Sequence, residues 1–194
     1  MKDIREISKE NTRRLILGTT REIIVFQGII NTSTKQISDK CKIAHGTIFA
    51  HFKNREILIG TVVKTELIRI AENLYQLAEG NNPFDKLLEE YLNLVSEEED
   101  LLVVINKEFA FFSDYLKNEI ITTETIVKKF FYDALSKGIE TGLMEPLNIS
   151  MLISCLFGTI SHYLVRKEYF VSSGSVIMQK KQEIIQLFIY LIKQ

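Results

Sequence analysis

The chain has 194 residues, enough for one sizeable core or two modest domains, and its 46% hydrophobic content with only two prolines favours an ordered, helix-rich fold. The net charge of −1 is unevenly spread: residues 1–60 carry 11 Lys and Arg against 6 Asp and Glu, and residues 61–194 carry 13 against 19. A basic first part followed by an acidic body fits one end that binds nucleic acid and another with a different task.

The beginning of the chain is polar, and no run of 18 or more apolar residues predicts a membrane span. The two cysteines, Cys41 and Cys155, lie far apart without metal-type spacing. We therefore expect a cytoplasmic protein with reduced thiols, in which each cysteine is a small apolar residue. A redox switch at either cysteine is the alternative.

The first predicted helix begins at Asn11 or Thr12 and runs to about Phe26, behind a polar lead of mixed charge. Its apolar residues keep near-helical spacing at Ile16, Ile23, Ile24 and Phe26. Gly28 is suited to end the helix in a left-handed conformation.

Two short helices joined by a tight turn are predicted within residues 33–56. Ile37 and Cys41 lie four residues apart on the first, and Ile48 and Phe52 repeat that spacing on the second. Helices this short are not stable alone, so they share a core with their neighbours. The polar residues of this segment are left exposed to solvent, and their positive charges and hydrogen-bond donors suit a nucleic-acid duplex. These residues are Lys35, Lys40, Lys42, His45, Thr47, His51 and Lys53. The pattern predicts a helix-turn-helix whose second helix enters the major groove.

The segment from Ile16 to Leu58 resembles, without a gap, the DNA-binding domain of the TetR family of bacterial transcriptional regulators. The most specific part is GTIFAHFKNREIL, from Gly46 to Leu58. The chain departs from the family pattern at Lys42, where glycine is usual in the turn, and at Ala44, where a serine commonly precedes the recognition helix. A residue other than glycine at position 42 must adopt a left-handed conformation or reshape the turn.

The resemblance implies two sets of DNA contacts. We expect backbone phosphates to be contacted by Thr32, Ser33, Phe49, Lys53 and Arg55. We expect base edges to lie near Lys35, His45, Gly46, Thr47 and His51. Members of the family also use the residues before the first helix to reach along DNA, which assigns that role to Lys2, Arg5 and Lys9.

A long helix is predicted from Asn54, a good N-cap, to about Glu79, and residues 80–83 form the clearest linker in the chain. We place a helix-turn-helix domain at residues 1–53 and an effector-binding and dimerisation domain at residues 54–194. Because the long helix joins both, the resemblance implies that its tilt transmits a ligand signal to the DNA-binding end.

The body is predicted to be helical throughout, which gives an all-α fold with about nine helices. Its predicted helices span residues 84–95, 101–115, 122–141, 148–169 and 176–193. The acidic run from Ser96 to Asp100 is interpreted as the cap and first turn of the helix that follows. A divalent-metal site there would require a second acidic cluster, which the sequence does not offer.

Aromatic residues are frequent in the body, and the resemblance places a pocket for a small effector between its helices. An apolar or aromatic effector would fit residues of this type. The candidate lining residues are Tyr75, Tyr91, Phe109, Phe112, Tyr115, Phe130, Phe131 and His162. The alternative for each aromatic residue is plain core packing, and for His162 a hydrogen-bonded core or interface position.

The last predicted helix is apolar on more than one face, so it needs its own core and a second chain as partners. The family commonly dimerises by pairing its last two helices into a four-helix bundle. A two-fold dimer would hold two recognition helices roughly 34–36 Å apart, over a near-palindromic operator.

We therefore predict a homodimeric, DNA-binding repressor controlled by a small molecule, with no cofactor and no metal. The three histidines lack zinc spacing, and no glycine-rich phosphate loop, nucleophile elbow or HExxH motif points to an enzyme. Two alternatives remain: an architectural or partner-recruiting DNA binder without ligand control, and a helical carrier or enzyme that kept the helix-turn-helix.

Overall fold

The computed structural model describes residues 4–80 and 82–193, which form ten α-helices and one 3₁₀ turn with no strand among them. The all-α prediction is confirmed. The helices are α1 Ile4–Gln27, α2 Thr34–Cys41, α3 His45–His51, α4 Arg55–Glu79, α5 Phe84–Glu97, α6 Glu99–Glu108, α7 Asp114–Glu140, α8 Ile149–Val165, α9 Lys167–Phe170 and α10 Val176–Ile192.

The first three helices and the start of α4 enclose a small core of their own. Its buried residues are Ile16, Ile23, Ile37, Cys41, Ile48, Phe52 and Leu58. The predicted pairs on the two short helices are thus buried together, as their four-residue spacing indicated. Phe26 departs from the prediction, because its side chain is exposed at the end of α1.

α1 begins at Ile4 and not at Asn11, so most of the predicted polar lead is helical. Glu6 lies in its first turn, where a carboxylate favours the helix dipole. Glu10 and Arg14 form an ion pair one turn apart at 2.6 Å. Lys9 is exposed on this helix, whereas Lys2 lies outside the described residues.

α4 is 25 residues long and runs from the helix-turn-helix into the body, beginning after Asn54, whose side chain accepts a hydrogen bond from the Ile57 N–H at 2.8 Å. In the body it packs against α5 and α7. α8 and α10 complete the body, with Leu156, Ile160, Ile184 and Phe188 in its core.

The predicted helix from Leu101 to Tyr115 is wrong in its extent. α6 ends at Glu108, a 3₁₀ turn covers Phe109–Phe111, and α7 begins at Asp114, eight residues before the predicted Thr122. Ser113 causes this restart, because its hydroxyl accepts a hydrogen bond from the Leu116 N–H. The predicted helix ending at Tyr169 is likewise divided, into α8 and the four-residue α9.

The acidic run forms the first turn of α6, with Glu99 and Asp100, as predicted, but it does not supply a side-chain cap for that helix. Glu98 is the residue before α6, but its side chain makes no capping bond within the described part of the chain, and both Glu98 and Glu99 are buried. Glu99 instead caps a distant helix: its carboxylate accepts hydrogen bonds at 3.0 Å from the N–H groups of Val176 and Ile177, which begin α10. The described residues hold no cluster of side chains suited to a metal ion.

Lys167 completes the Glu99 site, with its Nζ 2.9 Å from the carboxylate. Burial alone would raise the pKa of Glu99, but hydrogen bonds from Ser175, Lys167 and the α10 N–H groups outweigh burial and lower it. The charged carboxylate therefore joins α6, α9 and α10. None of the described helices is long and apolar enough to cross a membrane.

Candidate nucleic-acid interface and ligand pocket

The turn between α2 and α3 has the geometry of a helix-turn-helix. Ser33 caps α2 in a reciprocal arrangement with Gln36, so that each side chain bonds the backbone N–H of the other residue. Lys42 ends α2 in the left-handed conformation, with φ 55° and ψ 42°, as its replacement of the usual glycine required. Ala44 precedes α3 and provides no side-chain cap, so the first N–H groups of α3 are open to a ligand such as a phosphate.

The outer face of α2 and α3 carries most of the predicted base-reading residues. Lys35 is exposed and pairs with Asp39 at 2.7 Å. The Nε2 atom of His45 lies 2.9 Å from the Thr34 hydroxyl, which orients the ring at the start of α3. A Cβ added to Gly46 would meet no described heavy atom within 4 Å, so the backbone there is open to close approach. Thr47 is half-buried beside it.

Further predicted contacts extend along one edge of α3. Phe49 is 46% exposed, with its ring against that of His45. His51 lies half-buried at the end of α3, and Lys53 is exposed just beyond it. Burial and the charges of Lys9 and Arg13 lower the pKa of His51, an environment that an approaching anion would reverse.

Arg13 was not among the predicted site residues, yet it lies at this edge. Its guanidinium stacks 4.3 Å from the centre of the Phe52 ring and donates a hydrogen bond to the His51 carbonyl at 3.3 Å. This joins α1 to the end of α3 and adds a positive charge beside it. The contact spans 38 residues of sequence, so local pattern gave no signal for it.

Two predicted phosphate contacts require correction. Thr32 is fully buried, and its hydroxyl donates to the Gly28 carbonyl at 2.6 Å, so it is not presented to DNA. Arg55 points back at the turn between α1 and α2, where it donates to the carbonyls of Thr32, at 2.6 Å, and Ile29. Both side chains stabilise the domain through these hydrogen bonds to its own backbone. Burial lowers the pKa of Arg55, opposed by nearby carboxylates.

The body contacts the helix-turn-helix domain through the last residue of α6. The Glu108 carboxylate accepts a hydrogen bond from the Ile30 N–H at 3.0 Å, in the turn that leads to α2. Gly28 has φ 90°, and a Cβ there would collide with the same carboxylate. Glycine at position 28 therefore both ends α1 and admits Glu108.

A second contact between the two parts is ionic. The buried Glu98 carboxylate accepts from Arg21 of α1 at 2.7 Å and from Arg69 of α4. One carboxylate at the start of α6 thus ties the DNA-binding domain to the long helix.

The body holds a cavity of about 70 Å³, named here the central cavity. Its walls come from α4, α5, α6, α7 and α8 and are mainly apolar; they include Leu67, Ile70, Tyr91, Val95, Ile105, Ile120, Val127, Phe157, Ile160 and Leu164. The polar exceptions are Thr123, Glu124 and the pair Asn106 and Ser161, which are bonded to each other at 2.8 Å. Burial raises the pKa of Tyr91 far above its usual range, so its hydroxyl stays protonated.

A second space of about 220 Å³, the distal pocket, lies where α4 ends. Its walls belong to α4, α5 and α7, to residues 82–83 before α5 and to the loop after α7. They include Ala78, Phe84, Leu87, Phe130, Ala134, Gly138 and Met144, with Asn82, Asp133, Lys137 and Thr141 as polar members.

The predicted effector residues are not brought together in one site. Tyr91 lines the central cavity and Phe130 the distal pocket, with Tyr75 packed beside Phe130 near the surface. Phe131 is fully buried between them. Three others, Phe109, Phe112 and Tyr115, lie around the 3₁₀ turn and the start of α7, near the DNA-binding domain.

His162 is exposed on α8, among Tyr163, Phe170 and Arg166, and does not line the central cavity. Cavity residues that the sequence reasoning missed, such as Ile70, Ile105 and Phe157, are ordinary apolar positions of a helical stripe. Nothing in the stripe distinguishes a residue beside a cavity from one in packed core.

The outer faces of α8 and α10 carry exposed apolar side chains. They are Met151 and Cys155 on α8 and Leu187, Tyr190 and Leu191 on α10. Gly158 opens the α8 face further, since a Cβ there would meet no described atom within 4 Å. Such a face is typical of a helix pair that packs against another chain.

Comparison with known proteins agrees with this geometry. The family model described as bacterial regulatory proteins, tetR family, matches residues 16–62. The HTH-type transcriptional regulator UidR of Escherichia coli (strain K12) is 27% identical over 171 residues, covering 83% of this chain and 86% of UidR.

Solved structures share the fold at lower identity. The transcriptional regulator FadR from Bacillus subtilis, in complex with stearoyl-CoA, has a TM-score of 0.75 and 18% identity over 91% of this chain and 97% of that chain. AibR, in complex with isovaleryl coenzyme A and operator DNA, has a TM-score of 0.70 and 16% identity over 94% and 98%. The helix-turn-helix of this chain therefore matches the tetR family of bacterial regulatory proteins over residues 16–62, and the fold of the whole chain is shared with these transcriptional regulators.

Proposed function

We propose that the protein is a homodimeric cytoplasmic repressor that binds a near-palindromic operator and responds to a small apolar effector. The observation that carries this proposal is the combination of an intact helix-turn-helix, with an exposed basic face, and a separate helical body that contains apolar cavities. We divide the chain into a DNA-binding domain, residues 1–53, and an effector-binding and dimerisation domain, residues 54–194.

The DNA contacts proposed here are those whose side chains or backbone face outward. Lys35, His45, Gly46 and Thr47 lie at the start of α3 or beside it and are suited to base edges. Phosphates are assigned to Ser33, Phe49 and Lys53, with Lys9 and Arg13 added at the same edge, and His51, at the end of α3, stays a candidate near base edges. Thr32 and Arg55 position these residues from inside the domain.

The dimer is proposed to form through the exposed apolar faces of α8 and α10, with the partner's equivalent faces completing a four-helix bundle. Two-fold symmetry would place the two copies of α3 about one turn of DNA apart, roughly 34 Å. The operator half-sites are expected at that spacing.

The effector is proposed to enter the apolar spaces of the body. FadR was solved with stearoyl-CoA and AibR with isovaleryl coenzyme A, and these two ligands support an acyl-bearing compound for this chain as well. A change in the packing of α6 would reach the DNA-binding domain through Glu98 and Glu108, which bond α1, α4 and the turn before α2.

A mobility-shift assay with the DNA that flanks the protein's own gene tests this proposal, performed at two salt concentrations. We expect a saturable shift that weakens with salt and survives unrelated competitor DNA. Weak binding that any DNA competes away equally would contradict an operator in that region.

The second candidate, a DNA binder without ligand control, is favoured by one observation. The central cavity, at about 70 Å³, is small beside the roughly 300–1,000 Å³ of most ligand sites. A thermal-shift screen against apolar compounds separates the two functions: stabilisation by a compound that also releases the operator supports the repressor.

A further inference from the structure

The central cavity and the distal pocket lie in line between the same helices. Residues 67 and 70 of α4 line the first space and residue 78 the second. On α5 the central cavity takes Tyr91 and Val95, and the distal pocket takes Phe84 and Leu87. α7 runs opposite to α5; its residues 120–127 line the central cavity and its residues 130–138 line the distal pocket. The two spaces therefore succeed one another along one groove between α4, α5 and α7.

Phe131 lines neither space but lies between their walls. Its side chain is fully buried, and its ring centre lies 5.8 Å from that of Phe84, a wall of the distal pocket. On the other side it lies 5.4 Å from Tyr91 and 6.3 Å from Phe157, both walls of the central cavity. An aromatic side chain has alternative staggered positions about χ1, so this partition can move where a backbone wall could not.

The volumes of the two spaces decide whether a ligand can occupy one of them alone. The central cavity, at about 70 Å³, and the distal pocket, at about 220 Å³, are each smaller than the roughly 300 Å³ at which ligand sites usually begin. Joined, they approach that volume. A ligand of ordinary size therefore needs both spaces, and the Phe131 ring, which packs against walls of both, lies between them.

Shape limits what such a ligand can be. Phe84 and Val95 lie eleven residues apart on α5 and are therefore separated by roughly 16 Å, at 1.5 Å per helical residue. A zigzag hydrocarbon chain with bonds of about 1.5 Å advances roughly 1.3 Å per bond, so about twelve bonds cover this distance. A passage opened here would run between aromatic rings, which admit a slender chain more readily than a fused ring system.

We propose that Phe131 is a movable partition and that the effector carries an unbranched aliphatic chain of about twelve carbons or more, which displaces the ring and fills both spaces. This inference rests on the proposed function, in which the body binds an effector. Phe131 would then set the chain length to which the protein responds.

Isothermal titration of the full-length, delipidated protein with octanoate and hexadecanoate tests the inference. We expect wild type to bind hexadecanoate. Phe131→Trp, which enlarges the partition, should weaken hexadecanoate binding about tenfold or more while changing octanoate little. Phe131→Leu, which shrinks it, should bind hexadecanoate at least as tightly as wild type does.

Phe188→Leu is the matched control, because Phe188 is a fully buried phenylalanine of α10, a helix that contributes no wall to either space. It should bind both acids as wild type does, and circular dichroism confirms that each variant is folded. Equal hexadecanoate affinity in wild type and both folded Phe131 variants would overturn the partition.

Operator binding, measured in parallel, distinguishes the two proposals. If neither acid binds wild type or Phe131→Leu, while another apolar compound releases the operator, the proposal of an aliphatic effector is wrong and the proposal of an effector-controlled repressor is supported. If hexadecanoate binds with the expected dependence on Phe131 but no specific operator is found, the proposed ligand site is supported and the proposed repressor function is wrong.

Discussion

The residues on the outer face of the helix-turn-helix divide into those that neighbouring groups hold in place and those that remain available to DNA. Burial of Ile37, Cys41, Ile48 and Phe52 was predictable, because four-residue spacing alone places them on one face of a helix. The inward direction of the Arg55 side chain was not predictable. Its acceptors are backbone carbonyls 23 to 26 residues away, and the sequence pattern of a helix does not record them.

Lys35→Ala and His45→Ala should each weaken specific operator binding by roughly tenfold or more, because a good base contact discriminates by about 1–3 kcal/mol. The dimer and the fold should be unchanged. Fluorescence anisotropy with the operator and with a scrambled duplex measures the specific part.

Lys129→Ala is the control for Lys35→Ala. Lys129 of α7 also pairs with an aspartate one turn along its helix, at 2.6 Å, but lies on the body. Operator affinity at the wild-type level in both Lys35→Ala and His45→Ala would show that neither residue reads DNA.

Helix boundaries were predictable where a capping residue marked them and not elsewhere. Ser33 and Asn54 fixed the starts of α2 and α4. The division between α6 and α7 was missed, because the apolar pattern continues unbroken through the 3₁₀ turn at residues 109–111. The partners of Glu99 were also unpredictable, since the start of α10 lies 76 to 78 residues further along the chain.

Glu99→Gln should destabilise the fold by about 2–3 kcal/mol near neutral pH, because a buried charged acceptor for the α10 N–H groups is lost. The folded-state pKa of Glu99 is lowered, so its contribution is complete above the unfolded pKa of about 4.5 and is lost as the pH falls through the folded value. Urea unfolding from pH 7 to pH 3 should therefore show a gap between wild type and variant that closes in acid.

Glu97→Gln is the matched control, since Glu97 is a neighbouring glutamate with an exposed side chain. It should leave the unfolding free energy nearly unchanged at every pH. A difference between Glu99→Gln and wild type that persists undiminished at pH 3 would contradict the role given to the Glu99 charge.

For the whole molecule, the two-part architecture followed from the sequence, and the position of the ligand space did not. A cavity is the small volume left after helices of particular length and tilt have packed, so composition does not locate it. That is why the predicted aromatic residues are distributed between two spaces and the region near the 3₁₀ turn.

Leu187→Glu should convert the dimer to a monomer, because it places a charge on the exposed apolar face of α10 where the partner is proposed to pack. Operator affinity should fall by roughly a hundredfold, since two linked half-sites no longer act together. Light scattering after size exclusion gives the oligomeric state.

Leu143→Glu provides the comparison, because Leu143 is an exposed leucine in the loop after α7, away from that face. It should remain dimeric and bind operator normally. A dimeric Leu187→Glu protein would place the subunit interface elsewhere.

Lys42 has a left-handed backbone and an exposed positive charge, so one substitution there should change folding stability and attraction to DNA in opposite directions. Lys42→Gly should raise the free energy of unfolding by about 0.5–1 kcal/mol, since glycine avoids the steric cost of that conformation but gains freedom in the unfolded chain. The same change removes an exposed positive charge beside the proposed DNA contacts, so binding should weaken and its salt dependence should become shallower. We expect a protein that unfolds at a higher temperature but binds DNA less tightly, so selection for heat resistance and selection for tight DNA binding would act on position 42 in opposite directions.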